Sequence, residues 1–148
     1  MDREIEVFIL DLLRKHSVLT LATVREDGWP QATTVGYVHD GLTLYVGCAA
    51  HSQKVRNIER CNKVSLTVGH EQDHWSRIRA LSMGATAEVV TDSADIARAT
   101  ELILAKFPQV KCMPMPGPDS FAFLKIVPKV ISILDYSKGF GHTVLVEV

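Results

Sequence analysis

The chain has 148 residues, a formal net charge of −1, 47% apolar residues and 22% charged ones. That length supports a single domain, residues 1–148, whose core needs no disulfide or metal. The near-neutral balance gives no broad basic field for nucleic acid or an anionic membrane, and no run of about 18 apolar residues crosses a bilayer. No signal peptide opens the chain, and Cys48, Cys61 and Cys112 form no CxxC pair. The expectation is a cytoplasmic protein with reduced thiols.

The first element is helical. Ile5, Phe8, Ile9, Leu12 and Leu13 share one face of residues 3–15, and Arg14, Lys15 and His16 suit the negative end of the helix dipole. A β-rich run from Val18 to Val24 stops at Asp27-Gly28, and a second from Trp29 to Val38 stops at Asp40-Gly41. A third runs from Leu42 to Val46, so the spacing predicts a three-stranded antiparallel meander. Ser52 to Arg60 reads as a short helix with Val55 and Ile58 inward, and Lys63 to Val68 as a fourth strand. Residues 70–76 are polar and loop-like. Arg77 to Val90 returns to β with a bulge or kink at Gly84.

Asp92-Ser93 caps a helix whose inner face is Ile96, Ala99, Ile103 and Phe107. A proline-rich loop over 108–120 follows. Two strands, Phe121 to Val127 and Lys129 to Asp135, are divided by Pro128, and a tail carries Gly139-Phe140-Gly141-His142. The sum is a mainly β (α+β) fold: a six- to seven-stranded antiparallel split β-barrel with peripheral helices.

Two stretches point to chemistry. At Gly47 to Asn57 a strand ends, small residues follow, and a helix begins with Ser52 and Lys54 in its first turn. Free N–H groups, a hydroxyl and an ammonium suit a phosphate monoester. On local grounds the alternative is a plain serine cap with a solvated lysine. In the second stretch, Ala32, Thr34 and Gly36 make a small-residue strand face able to accept a flat heteroaromatic ring, or else Gly36 relieves strain at a barrel corner.

The ordered set of Leu21-Ala22-Thr23, Asp27-Gly28-Trp29-Pro30, Ser52-Gln53-Lys54 and Asn62-Lys63-Val64-Ser65-Leu66 resembles the pyridoxamine 5′-phosphate oxidase superfamily of FMN-binding split barrels. The resemblance implies a homodimer with FMN at its interface. It would lay Thr33, Thr34, Val35, Gly36 and Tyr37 along the ring and ribityl chain, largely through main chain. Gly47 and Cys48 would sit beside the ribityl and phosphate, and Ser52, Gln53 and Lys54 would hold the phosphate. Arg79 would reach the flavin from the partner subunit. The implied activity is that of an oxidoreductase moving a hydride or electron between the flavin and a small molecule. No catalytic acid or base is named.

True pyridoxamine phosphate oxidases differ in carrying arginine at the positions of Thr33 and Gln53, and a Trp- and Arg-bearing terminal segment that holds their substrate. The Gly139-Phe140-Gly141 tail resembles that of haem-utilisation relatives, so the alternative is a haem-binding protein with His142 as axial ligand. A cofactor-binding protein without turnover, or a deazaflavin user, fits the same pocket. His70 and His74 read as a polar loop rather than a metal site, Cys48 as a small buried thiol, and Trp29 and Trp75 as packing residues.

Overall fold

The computed structural model describes residues 1–69, 72–114 and 117–148. Helix α1 spans Arg3–Lys15. Its Asp2 cap accepts from the Glu4 N–H at 2.9 Å, and its buried face is Ile9, Leu12 and Leu13. Strands β1 (Val18–Val24) and β2 (Pro30–Gly36) pair antiparallel, Val18 against Gly36 through Val24 against Pro30. Gly28 closes their turn at φ +87° and Gly41 closes the next at φ +58°, backbone angles that glycine adopts without a Cβ penalty.

The strand expected over 29–38 is in fact two. At Tyr37 the N–H donates to the Ser17 carbonyl at 3.2 Å and the hydroxyl to the Leu13 carbonyl at 2.6 Å, so this residue serves the α1–β1 corner instead of a ladder. Beyond it, β3 (Val38–Asp40) pairs with β4 (Thr43–Ala49). The predicted meander is therefore replaced by two separate hairpins. The full order is β2-β1-β5-β6-β7-β4-β3, with β5 Lys63–Val68, β6 Arg79–Val89 and β7 Phe121–Asp135. Strands β2 and β3 stand at opposite ends of that order yet are one residue apart in the chain. The sheet must curl until its ends meet, which makes the antiparallel half-barrel.

Pro128 does not divide the last strand, contrary to the sequence reading. It falls between the part of β7 paired with β4, up to Ile126, and the part paired with β8 (Thr143–Glu147), from Val130. On the β6 side a bulge opens between Gly84 and Ala85 and leaves Lys129 out of register, so the missing N–H costs little. The tail thus supplies an eighth strand, one more than expected. Among the described residues no helix is long and apolar enough to cross a membrane.

Helices α2 (Gln53–Arg60) and α3 (Ser93–Lys106) complete the fold. Leu19, Leu21, Leu66, Met83, Ile126 and Ile131 fill the barrel together with Ile9 and Leu13 of α1 and Val55 and Ile58 of α2. A second, smaller core of Val38, Tyr45, Ala99 and Phe123 lies under α3. Ile96, expected inside, is 39% exposed, whereas Ala99 is buried and Ile103 and Phe107 pack partly buried against the second core. The gap Ile96 overlooks is part of a large cavity.

Candidate cofactor site

The site is built where β4 runs into α2. Gly47 is confined there, since a Cβ would come within 2.7 Å of the Phe121 ring. After Ala49 the chain turns, with the Ser52 N–H donating to the Ala49 carbonyl at 3.1 Å. Ser52 has the backbone of a helix cap, φ −67° and ψ 156°, but its side chain caps nothing. Its Oγ is inaccessible to solvent and makes no hydrogen bond of good geometry among the described residues, the Cys48 thiol being the group that stands beside it. The plain-cap alternative is thereby removed, and the first turn of α2, eight residues long, keeps its N–H groups open.

Cys48, Ser52 and Lys54 converge. Burial pushes the Cys48 thiol up, and the Ser52 hydroxyl and Lys54 ammonium offset only part of that. Lys54 is half-buried and has no carboxylate within ion-pairing range among the described residues. Gln53 points elsewhere. Its amide donates to Asn57 Oδ1 at 2.8 Å and accepts from Arg56 Nη2 at 2.8 Å, while Arg56 Nη1 reaches the His51 carbonyl at 2.6 Å.

Asn57, which the sequence reading passed over, is 1% exposed and donates to Thr23 Oγ1 at 3.0 Å and Gln31 Oε1 at 3.1 Å. This network moors the start of α2 to the β1–β2 hairpin. The spacing of Gln53 and Asn57, one helical turn apart, was the available signal.

Strand β2 is an edge, paired only with β1. Thr33 and Val35 turn inward and are half-buried, whereas Ala32, Thr34 and Gly36 form the exposed small face. The Tyr37 side chain is committed to the core. Burial carries its phenol far above the usual range, and the Lys106 ammonium lies 4.1 Å from its ring centroid. With its N–H held by the Ser17 carbonyl, only its own carbonyl is left for a ligand.

Gly36, Tyr37, Gly47 and Cys48 line one cavity of about 1150 Å³, with Ser52 and Lys54 beside Cys48 just off that lining. Arg79 is elsewhere. It pairs with the buried Asp135 at 3.5 Å and lines a separate cleft of about 360 Å³ with Lys138 and His142. Within one chain, then, Gly36, Tyr37, Gly47 and Cys48 share a cavity and Ser52 and Lys54 adjoin Cys48, whereas Thr33, Thr34 and Val35 lie along β2 outside that lining, Gln53 is drawn into the Asn57 network, and Arg79 lines another cleft.

Of the remaining motifs, His74 turns back on its own loop, Nδ1 meeting the Ser76 N–H at 3.3 Å and the Ser76 hydroxyl at 2.6 Å. His70 lies outside the described residues. Trp75 stacks on Phe140 at 5.6 Å, and Trp29 is 72% exposed.

A curled antiparallel half-barrel of this strand order, with helices packed at its corners, is a split barrel. Residues 5–135 match the family model described as pyridoxamine 5′-phosphate oxidase, and the chain belongs to that family. It is 33% identical over 69 residues to general stress protein 26 of Bacillus subtilis (strain 168), 47% of this chain and 49% of that protein. The match thus spans about half the length of that curated relative. A Listeria innocua structure provisionally described as a pyridoxamine 5′-phosphate oxidase is 28% identical, with a TM-score of 0.73 over 88% of this chain and 98% of that one. A heme binding protein of Mycobacterium smegmatis (TM-score 0.81, 15% identity, 99% and 59% covered) and a heme storage protein of Vibrio cholerae (0.70, 19%, 86% and 91%) share the fold.

Proposed function

We propose that the chain binds FMN at the interface of a homodimer and acts as an oxidoreductase on a small molecule. The observation that carries this reading is the buried Ser52 Oγ, with no well-formed hydrogen bond among the described residues, at an uncapped helix start beside a Lys54 that has no carboxylate partner among them. A buried hydroxyl without a well-formed hydrogen bond is costly, and a phosphate oxygen would satisfy it while the ammonium and the first-turn N–H groups balance the dianion. Ser52, Lys54 and the Gln53 N–H would hold the phosphate, and the free backbone edge of β2 over Thr33 to Tyr37 would meet the ring. Arg79, remote within one chain, is assigned to the partner's flavin. FMN would supply hydride or electron transfer at its ring, and the protein the orientation and dielectric around it.

Flavin fluorescence on titration with FMN should be quenched with one site per subunit at micromolar concentration. FAD should bind less well, since a phosphate seated at the helix start leaves little space for an adenylate. Absence of quenching, or equal affinity for both, ends the reading. Haem is the competing ligand, because two proteins sharing the fold bind or store it. His142, its expected axial ligand, lines the 360 Å³ cleft and not the large cavity. A Soret shift abolished by His142→Ala, with no FMN uptake, would replace flavin by haem.

A further inference from the structure

The large cavity extends well past the residues assigned to the flavin. Beyond Gly47 and Cys48 it runs between α3 and the β4–β7 pair, where Val90, Ile103, Leu104, Phe107, Phe121 and Ala122 wall it. The whole cavity, its flavin-facing part included, has a volume of about 1150 Å³, above the roughly 300–1,000 Å³ of most small-molecule sites, so it exceeds what one ligand fills. The two hydroxyls on it among the described residues are already used. The Tyr37 hydroxyl donates to the Leu13 carbonyl and the Thr100 hydroxyl to the Ile96 carbonyl at 2.8 Å. Glu59 and Lys111 are its charged lining residues among those described, and both are solvent-exposed. Ser52 and Lys54 do not line it.

We infer that this apolar chamber binds an uncharged, ring-bearing substrate, and that a phosphorylated pyridine is excluded from it. Removing a phosphate dianion from water needs paired cations or several donors, and the chamber offers neither inside its walls. An apolar ring gains instead from the removal of its surface and that of the aromatic and aliphatic lining from water. Calling the occupant a substrate rests on the flavin reading above. The chamber's selectivity does not.

The test uses the full chain and the neutral dye N-phenyl-1-naphthylamine, whose fluorescence rises in apolar surroundings. The dye should bind saturably, with and without FMN, and a neutral bicyclic quinone should displace it while pyridoxamine 5′-phosphate should not. Leu104→Trp, which fills the chamber from α3, should weaken the dye by about tenfold or more while FMN affinity changes by less than about twofold. If that variant does not fold, Ala122→Leu fills the chamber from β7 and carries the same expectation. No dye binding, displacement by FMN or by pyridoxamine 5′-phosphate, or indifference to a folded filling variant would overturn the inference. Dye binding that behaves as expected in a protein that takes up no FMN would keep the chamber's selectivity and discard the flavin.

Discussion

The three α-helices among the described residues begin in two different ways. At α1 and α3 an aspartate caps the helix: Asp2 accepts from the Glu4 N–H and Asp92 from the Asp95 N–H, at 2.9 and 3.2 Å. Acidic residues occupy both first turns, Glu4 and Glu6 in one and Asp95 in the other. At α2 the cap residue makes no cap bond, the first turn holds no acid, and Lys54 stands there instead. Two starts are saturated internally, as helix stability alone would favour. The third is left open to solvent or ligand, and it is the one beside the cavity. The sacrifice is tolerated because Asn57 and Arg60 tie α2 down from its far side, Arg60 donating to the Val24 and Arg25 carbonyls at 2.9 and 2.7 Å.

Breaking the mooring should produce the largest effect. Asn57→Ala strands the Thr23, Gln31 and Gln53 side chains and should lower stability by about 3 kcal/mol, read as a lower urea midpoint with unchanged slope. An unaltered midpoint would mean that α2 is held by Val55 and Ile58 alone. Next, Lys54→Ala should reduce FMN affinity by about 1.5–3 kcal/mol, tenfold or more, and leave riboflavin binding as it is. Equal weakening of both ligands would make Lys54 structural.

The two cap residues should then separate stability from binding. Asp92→Ala should cost about 1 kcal/mol of stability and leave FMN binding alone. Ser52→Ala should leave stability within about 0.5 kcal/mol, since no cap bond is lost, yet weaken FMN several-fold. Thermal melts and flavin titrations on both variants check this, and a destabilised Ser52→Ala would make α2 an ordinary capped helix.

The smallest effect concerns Asp135, in the cleft beside the start of α1. Burial alone would raise its carboxyl, but hydrogen bonds from Ser137 and the charge of Arg79 outweigh it and leave the group below its ordinary value. A depressed carboxyl contributes stability that is complete above the unfolded pKa of about 3.9 and lost as pH falls through the lower folded value. The acid limb of the stability profile should therefore flatten slightly in Asp135→Asn relative to wild type below about pH 4, measured by urea midpoints.

Much of the frame was legible without coordinates. The α1 stripe, the Asp-Gly turns, the Gly84 bulge and the Asp92 cap are short-range features, decided by residues within a turn or a hairpin of each other. So was the corner at Ser52 to Lys54, because a strand end followed by a hydroxyl, a lysine and a helix is contiguous in the chain. The errors arose where distant segments compete for one residue. Tyr37 belongs to the α1–β1 corner because the Leu13 and Ser17 carbonyls lie within reach, which breaks a strand that local propensity would continue. Pro128 stays inside β7 because its neighbour on one side changes from β4 to β8 at that point.

What the amino-acid order determined by itself is therefore most of the elements, the Asp-Gly turns and the strand-to-helix corner before α2, all products of local propensity and capping chemistry. The tertiary structure alone decided that Ser52 caps nothing, that Gln53 is drawn into the Asn57 network, that Arg79 faces a different cleft, and that an apolar chamber opens beside the corner. Each depends on which side chains from distant segments meet when the sheet curls, and a linear pattern carries no term for that closure.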